Sequence, residues 1–346
     1  MKKKIAIIGA GWFGCHIGYE IIKLNKFDVK IFEKNKEIFQ GASGNNQNRL
    51  HLGFHYPRSK ETRFQSKKGY KKFKKIYPFL CLKVKKNIYG VANDRNTKID
   101  FGTFLQIMKS EGLKYKEINA QKLFQIENLS GAILTNEMLI DKNKSIIFFQ
   151  KKLKNFLYLN KNIKKIKKVR GKYEINNQLY DYVINCTYYQ KFINKDPGVF
   201  YEVTSSMIYK CSKEFPALTV MDGPFFTIYP YKKNFYNIYS VIYSPFGKSK
   251  NFNLCEKTLF RVRKDNRLLS QKRKLTEKQI LKFYPNFSKY FKFTEYLTCI
   301  RTTNNSSNAN RSYKIHINKN FINIFSGKID HVNLASEEVI DFLKKS

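Results

Sequence analysis

Residues 5–8 form a short apolar run that opens directly onto Gly9-x-Gly11-x-x-Gly14, and this junction restricts the fold more than any other feature of the chain. The spacing predicts a buried strand, a tight turn and a helix, then a second strand at residues 29–32 that ends on Glu33. Each glycine has a separate job. Gly9 permits the turn, Gly11 lets the backbone approach a pyrophosphate, and Gly14 lets the helix pack closely on the strand. The helix start at Trp12 and Phe13 offers free N–H groups and the positive end of its dipole to phosphates. Glu33, with Lys34 beside it, is spaced to accept hydrogen bonds from an adenosine ribose. An acid at this position argues against a 2′-phosphate, and so against NADP.

The chain has 346 residues, of which 42 % are hydrophobic, enough for two domains with their own cores. No apolar run reaches the roughly 18 residues of a spanning helix. The lysine-rich start is followed by too short an apolar stretch for a signal peptide. Six scattered cysteines, without a C-x-x-C pair or an accompanying histidine cluster, point to reduced thiols in the cytoplasm rather than to disulfides or a metal. The net charge of +40 accompanies an abundance of Lys, Asn, Ile, Phe and Tyr, the pattern that A/T-biased codons produce. A solvated basic surface is expected, with no specific nucleic-acid partner. Such a field still favours anionic substrates.

Further along, residues 40–59 read as a long polar loop whose Leu50, Leu52, Phe54 and Tyr56 argue against disorder. Helices are expected over 59–77, where Phe64, Tyr70 and Phe73 interleave with basic residues, and over 101–112, 143–157 and 332–343. Strands are expected at 84–91, 163–169, 173–175, 181–187 and 321–325, with four or five more between 202 and 243. Residues 257–293 read as helical and basic. The order places a nucleotide domain at both chain ends: 1–75, 140–200 and 296–346. A β-rich substrate domain takes 76–139 and 201–295. The expected class is α/β with an α+β second domain.

Taken in order, these segments resemble the FAD-dependent oxidoreductases of the D-amino acid oxidase type, whose nucleotide domain is a Rossmann-like fold of the glutathione reductase type. The matches are Gly9, Gly11, Gly14 and Glu33; the loop 46–56; the strand 181–187; Ile300-Arg301-Thr302; and Ile324-Phe325-Ser326-Gly327-Lys328. The His51-x-Gly53-x-x-Tyr56 core is similar to the 2-hydroxyglutarate oxidase branch. Two departures stand out. Cys186-Thr187-Tyr188 replaces the usual Ala-Ala-Gly, and Lys328-Ile329-Asp330-His331 replaces a second glycine before the last helix.

The resemblance implies non-covalent FAD, held by Gly9, Gly11, Trp12, Phe13, Gly14, Glu33, Lys34, Ser43, Asn46, Arg49, Leu50, Gly327, Lys328 and Ile329. It implies oxidation of a C–H beside an amine or hydroxyl of a small, anionic amino acid or 2-hydroxy acid, by hydride transfer to flavin N5. An unidentified electron acceptor would complete the cycle. Oxidation of this kind needs a group to manage the second proton and cations near the reduced flavin. His51 and His55 are the candidate bases, since imidazole titrates near neutrality. Arg301 is the candidate carboxylate clamp, because its planar fork suits bidentate binding, and Tyr56 and Arg49 share the loop. Asp330 is expected to cap the last helix. Two alternatives remain from other classes. The Gly41-Ala42-Ser43-Gly44-Asn45 turn is similar to flavin-dependent sugar-nucleotide mutases, and the charge admits a non-catalytic flavoprotein bound to nucleic acid through a concentrated basic groove.

Overall fold

The computed structural model describes residues 1–192, 198–304 and 310–345. Its first sheet has six strands in the order Lys314–Asn318, Phe321–Phe325, Tyr182–Asn185, Lys3–Ile8, Phe27–Phe32 and Leu157–Tyr158. All neighbours run parallel except the edge hairpin formed by the first two. The alternation of side chains along the central strand explains its unbroken apolar run. Ile5 and Ile7 face the core shared with the helices Trp12–Lys23, Lys60–Ile76, Lys142–Leu153 and Val332–Lys345. Ala6 and Ile8 face the opposite way, onto a small antiparallel sheet that spans Lys167–Val169, Lys172–Ile175 and Gln178–Tyr180. Burying each such isoleucine contributes about 1.5–3 kcal/mol.

The second sheet has nine strands, drawn from the segments 87–135, 199–249 and 291–304. Its longest ladder pairs Val199–Cys211 with Phe291–Asn304 along the whole length of both. The boundary expected at 295/296 therefore falls inside a strand, and Arg301 belongs to this larger sheet. A short third sheet ties the loop strand Arg49–Leu50 to Met138–Ile140, and Met138–Ile140 to Cys81–Lys83.

Several local expectations are met and several shift. The helix Lys60–Ile76 starts at a Ser59 cap that accepts from Thr62 N at 3.3 Å. It buries Thr62, Ser66, Gly69, Tyr70 and Phe73, one face of a 3.6-residue period, while Phe64 points to solvent. The helix expected over 143–157 stops at Leu153, which frees Leu157–Tyr158 to add an edge strand. Only Lys167–Val169 of the strand expected at 163–169 forms. The basic region holds two long helices, Phe252–Lys264 and Asn266–Leu281. No helix among the described residues is long and apolar enough to cross a membrane.

Candidate active site

The carboxyl ends of the parallel strands open onto a cleft of about 530 Å³. Ligands in open α/β sheets bind at this edge. Ile8, Phe32, Cys186 and Ser326 mark four strand ends along it, and Thr204, Phe226, Thr227, Asn237 and Arg301 line it from the larger sheet. Of the residues singled out on sequence, all but Gly14 and Leu50 reach the lining. Those two are buried structural positions: a Cβ on Gly14 would stand 1.9 Å from Gly9 O, and Leu50 is completely buried in the core.

At one end, the glycine turn is set by contacts that only glycine allows. Gly9 has φ +98°, and a Cβ there would approach Cys186 O to 2.8 Å. Ser43 Oγ accepts from Trp12 N at 3.0 Å, so this serine completes the helix start from within the protein. The Trp12 ring packs among Phe39, Phe73, Tyr77 and Phe149. Glu33 is buried, and its carboxylate accepts from Ala10 N at 2.8 Å and from Asn35 N at 3.0 Å. It thus fixes the turn to the second strand while lining the cleft. Lys34 forms a loose exposed pair with Glu256 at 3.7 Å. Asn46 organises the loop by donating to Ala42 O at 2.7 Å and Ser43 O at 3.1 Å.

The departure at 186–188 has a structural answer. Tyr188 takes φ +60°, the left-handed conformation that a glycine would adopt without cost. Its hydroxyl donates to Thr302 O at 3.1 Å, and Thr302 Oγ1 donates back to Tyr188 O at 2.5 Å. The tyrosine therefore latches the end of the six-stranded sheet's strand Tyr182–Asn185 to the strand that carries Arg301.

At the other end, His51, His55 and Tyr56 form one ring cluster, with centroids 5.1–5.5 Å apart. Burial, followed by Arg49, holds both imidazoles well below the usual histidine range, so they are neutral near pH 7. His51 Nδ1 lies 3.7 Å from Glu137 Oε2. Among the described residues, neither His55 Nδ1 nor Tyr56 Oη, both buried, has a hydrogen-bond partner. Lys328 Nζ sits 5.3 Å from the Tyr56 ring centroid. Burial, then Arg311, lowers the Lys328 pKa, and burial raises that of Asp330. Asp330 is not an exposed helix cap. It is wholly buried, with Oδ2 at 3.3 Å from His331 Nε2.

Arg301 pairs with Glu202 and lies 5.0 Å from the Tyr239 ring centroid. The Arg49 guanidinium turns inward: it binds Tyr89 Oη, approaches Glu137 Oε2 at 3.5 Å and stacks 4.2 Å from the Tyr229 centroid. Glu137 in turn accepts from Leu52 N at 2.6 Å, which holds the histidine loop in place. Sequence reasoning missed Glu137, Tyr89, Glu202 and Arg311. Glu137 follows Asn136 between two strands and reads as an ordinary turn acid, and Arg311 is one of 66 basic residues.

A long cleft with a pyrophosphate-sized glycine turn at one end and unpartnered buried polar atoms at the other defines a dinucleotide-dependent enzyme of the two-sheet flavin type, and its residues fit FAD. The comparisons agree. The family model described as FAD dependent oxidoreductase matches residues 4–309. The FAD-dependent monooxygenase FPY4 of Fusarium mangiferae is 32% identical over 340 residues, covering 98% of this chain and 90% of that protein. The FAD-dependent monooxygenase kojA of Aspergillus flavus is 26% identical over 371 residues, with 98% and 85% covered. Among solved structures, L-α-glycerophosphate oxidase from Mycoplasma pneumoniae, with FAD bound, superposes at TM-score 0.74 with 14% identity, covering 99% of this chain and 95% of that one. Glycine oxidase from Geobacillus kaustophilus gives 0.72 at 13% identity, with 100% and 96% covered. The chain belongs to the FAD-dependent oxidoreductase family of the D-amino acid oxidase type, and it is an FAD-dependent enzyme.

Proposed function

We propose that this enzyme oxidises a C–H bond beside the amine or hydroxyl of a small anionic acid. The six-stranded sheet and its helices serve as the cofactor domain, and the nine-stranded sheet supplies the substrate side. The observation that carries the reading is that two neutral imidazoles line one cleft together with Arg301 and Lys328. FAD, when bound, would supply the two-electron acceptor for the substrate's hydride.

The chain's own residues do the rest. The turn from Gly9 to Gly14, Glu33, the loop around Ser43 and Asn46, and Gly327 to Ile329 hold the cofactor. Arg301 anchors a substrate carboxylate through its fork and stays oriented by Glu202 and Tyr239. A neutral His51 or His55 accepts the proton of the amine or hydroxyl. Lys328, brought down to about 7 by burial and Arg311, would be drawn into its protonated form by negative charge arising on a reduced cofactor and would stabilise that charge. With all six cysteines free, we assign the enzyme to the cytoplasm. Basic residues occur on several separate helices, Lys60–Ile76, Lys142–Leu153 and Asn266–Leu281, and the cleft chemistry favours an enzyme over a nucleic-acid-binding flavoprotein.

The names of the two relatives, both FAD-dependent monooxygenases, favour a second reading, oxygen insertion into the organic substrate. Turnover under ¹⁸O₂ separates the two. Dehydrogenation leaves the keto or imino acid product free of oxygen label from the gas and puts any consumed label into peroxide. Label in the organic product establishes the second reading instead.

A further inference from the structure

Arg301 and Arg311 line the same cleft, but they are provided for differently. Arg301 has Glu202 as its counter-ion. Among the described residues, no carboxylate pairs with the Arg311 guanidinium, and the charges that bear on it most after its own burial include Arg301 itself. Two like charges held in a low-dielectric wall are costly unless an anion joins them.

The backbone nevertheless fixes Arg311 in this position. Its N–H donates to Thr62 Oγ1 at 2.9 Å, on the first turn of the helix Lys60–Ile76. Its carbonyl fits against Gly327, where a Cβ would stand 2.0 Å from that oxygen. The placement is therefore built in, with both sides of the peptide engaged. A guanidinium cannot shed its proton to relieve the strain on its charge.

We propose that Arg311 is a second anion-binding residue, so that the preferred substrate carries two anionic groups, one for Arg301 and one for Arg311. This rests on the reading that Arg301 takes a substrate carboxylate. The second group is a carboxylate or a phosphate ester, either of which matches the guanidinium fork.

The test uses the FAD-loaded enzyme and ligand-induced changes in the visible spectrum of its bound flavin, which need no turnover. The probes are acetate, butyrate, succinate, glutarate and phosphoglycolate, at constant ionic strength. The dianions are expected to bind about tenfold or more tightly than the monocarboxylates. The tighter class among succinate, glutarate and phosphoglycolate then identifies the second group. Arg311→Gln should bring the dianions down to monocarboxylate affinity, leave acetate within about twofold, and retain flavin. Arg311→Lys should keep part of the preference, and Arg301→Gln should weaken every probe. Equal binding of succinate and butyrate by the unmodified enzyme overturns the proposal. So does an Arg311→Gln enzyme that keeps the dianion preference while its flavin potential shifts, which would assign Arg311 to the flavin. If anions bind as stated but no acid is oxidised, the oxidation reading fails and this one stands.

Discussion

Glu137→Ala tests the physical logic of the site's foundation. The native carboxylate and the Arg49 guanidinium are 0% and 4% exposed and 3.5 Å apart. Removing the acid leaves Arg49 as an uncompensated buried cation and strips the acceptor from Leu52 N and Tyr89 Oη. Breaking a buried pair from one side costs about 3–5 kcal/mol. Unfolding entropy near 60 °C is about 2.1 cal/mol/K per residue, or about 0.7 kcal/mol/K for this chain. The expected drop in Tm is therefore about 4–7 °C, measured by circular dichroism on FAD-loaded protein. The double variant Arg49→Met with Glu137→Ala should recover at least about 1 kcal/mol of that loss, because no charge is then stranded. A Glu137→Ala protein that melts within a degree or so of the unmodified one would refute the reasoning, since it would mean that water reaches Arg49.

Four further outcomes follow from the same structure. Burial lowers His16 and His331 to about 3, and His51 and His55 well below their usual range, so an unfolded chain binds more protons below about pH 6.5. Stability present above that pH is lost as pH falls, by about 1.4 kcal/mol per histidine at pH 5.5, and thermal melts at pH 7.5 and 5.5 should differ by several degrees. For the same reason, the imidazoles should add no inflection near pH 6.5 to kcat/KM, and one near pH 7 belongs to Lys328 and Asp330, both at about 7; an inflection that disappears in His51→Asn or His55→Asn would mean that an imidazole titrates normally. Each of these two variants is made separately, and the one that removes the base should slow anaerobic flavin reduction by about 10²–10⁴-fold. Gly14→Ala places a Cβ 1.9 Å from Gly9 O and should abolish retention of FAD through gel filtration, while FAD retained at full occupancy would contradict the assigned role of the turn.

The cofactor end was legible because its signal is local. A strand, three glycines and an acid at fixed spacing specify one turn, and Gly9 and Gly14 sit where side chains have no room. The loop at 46–56 was legible by its histidines, and its buried character by Leu50 and Phe54. What sequence hid depends on long-range pairing. Glu137 reaches Arg49 only because the short strand Arg49–Leu50 pairs with Met138–Ile140. Arg301 lies in the larger sheet because Phe291–Asn304 runs on past 295 against Val199–Cys211. The tyrosine at 188 stands where the resemblance expects a glycine, and a left-handed backbone lets it line the cleft and bond Thr302. Asp330 read as a cap because it precedes a helix, and only packing shows it buried beside His331.

The most direct measurement is anaerobic mixing of the FAD-loaded enzyme with a panel of 2-amino and 2-hydroxy acids, monocarboxylic and dicarboxylic, while the visible flavin absorbance is followed. Bleaching by one class of acid, with one equivalent of keto or imino acid formed per flavin, is the expected result. A flavin that dithionite bleaches but no acid on the panel does would contradict the proposed oxidation.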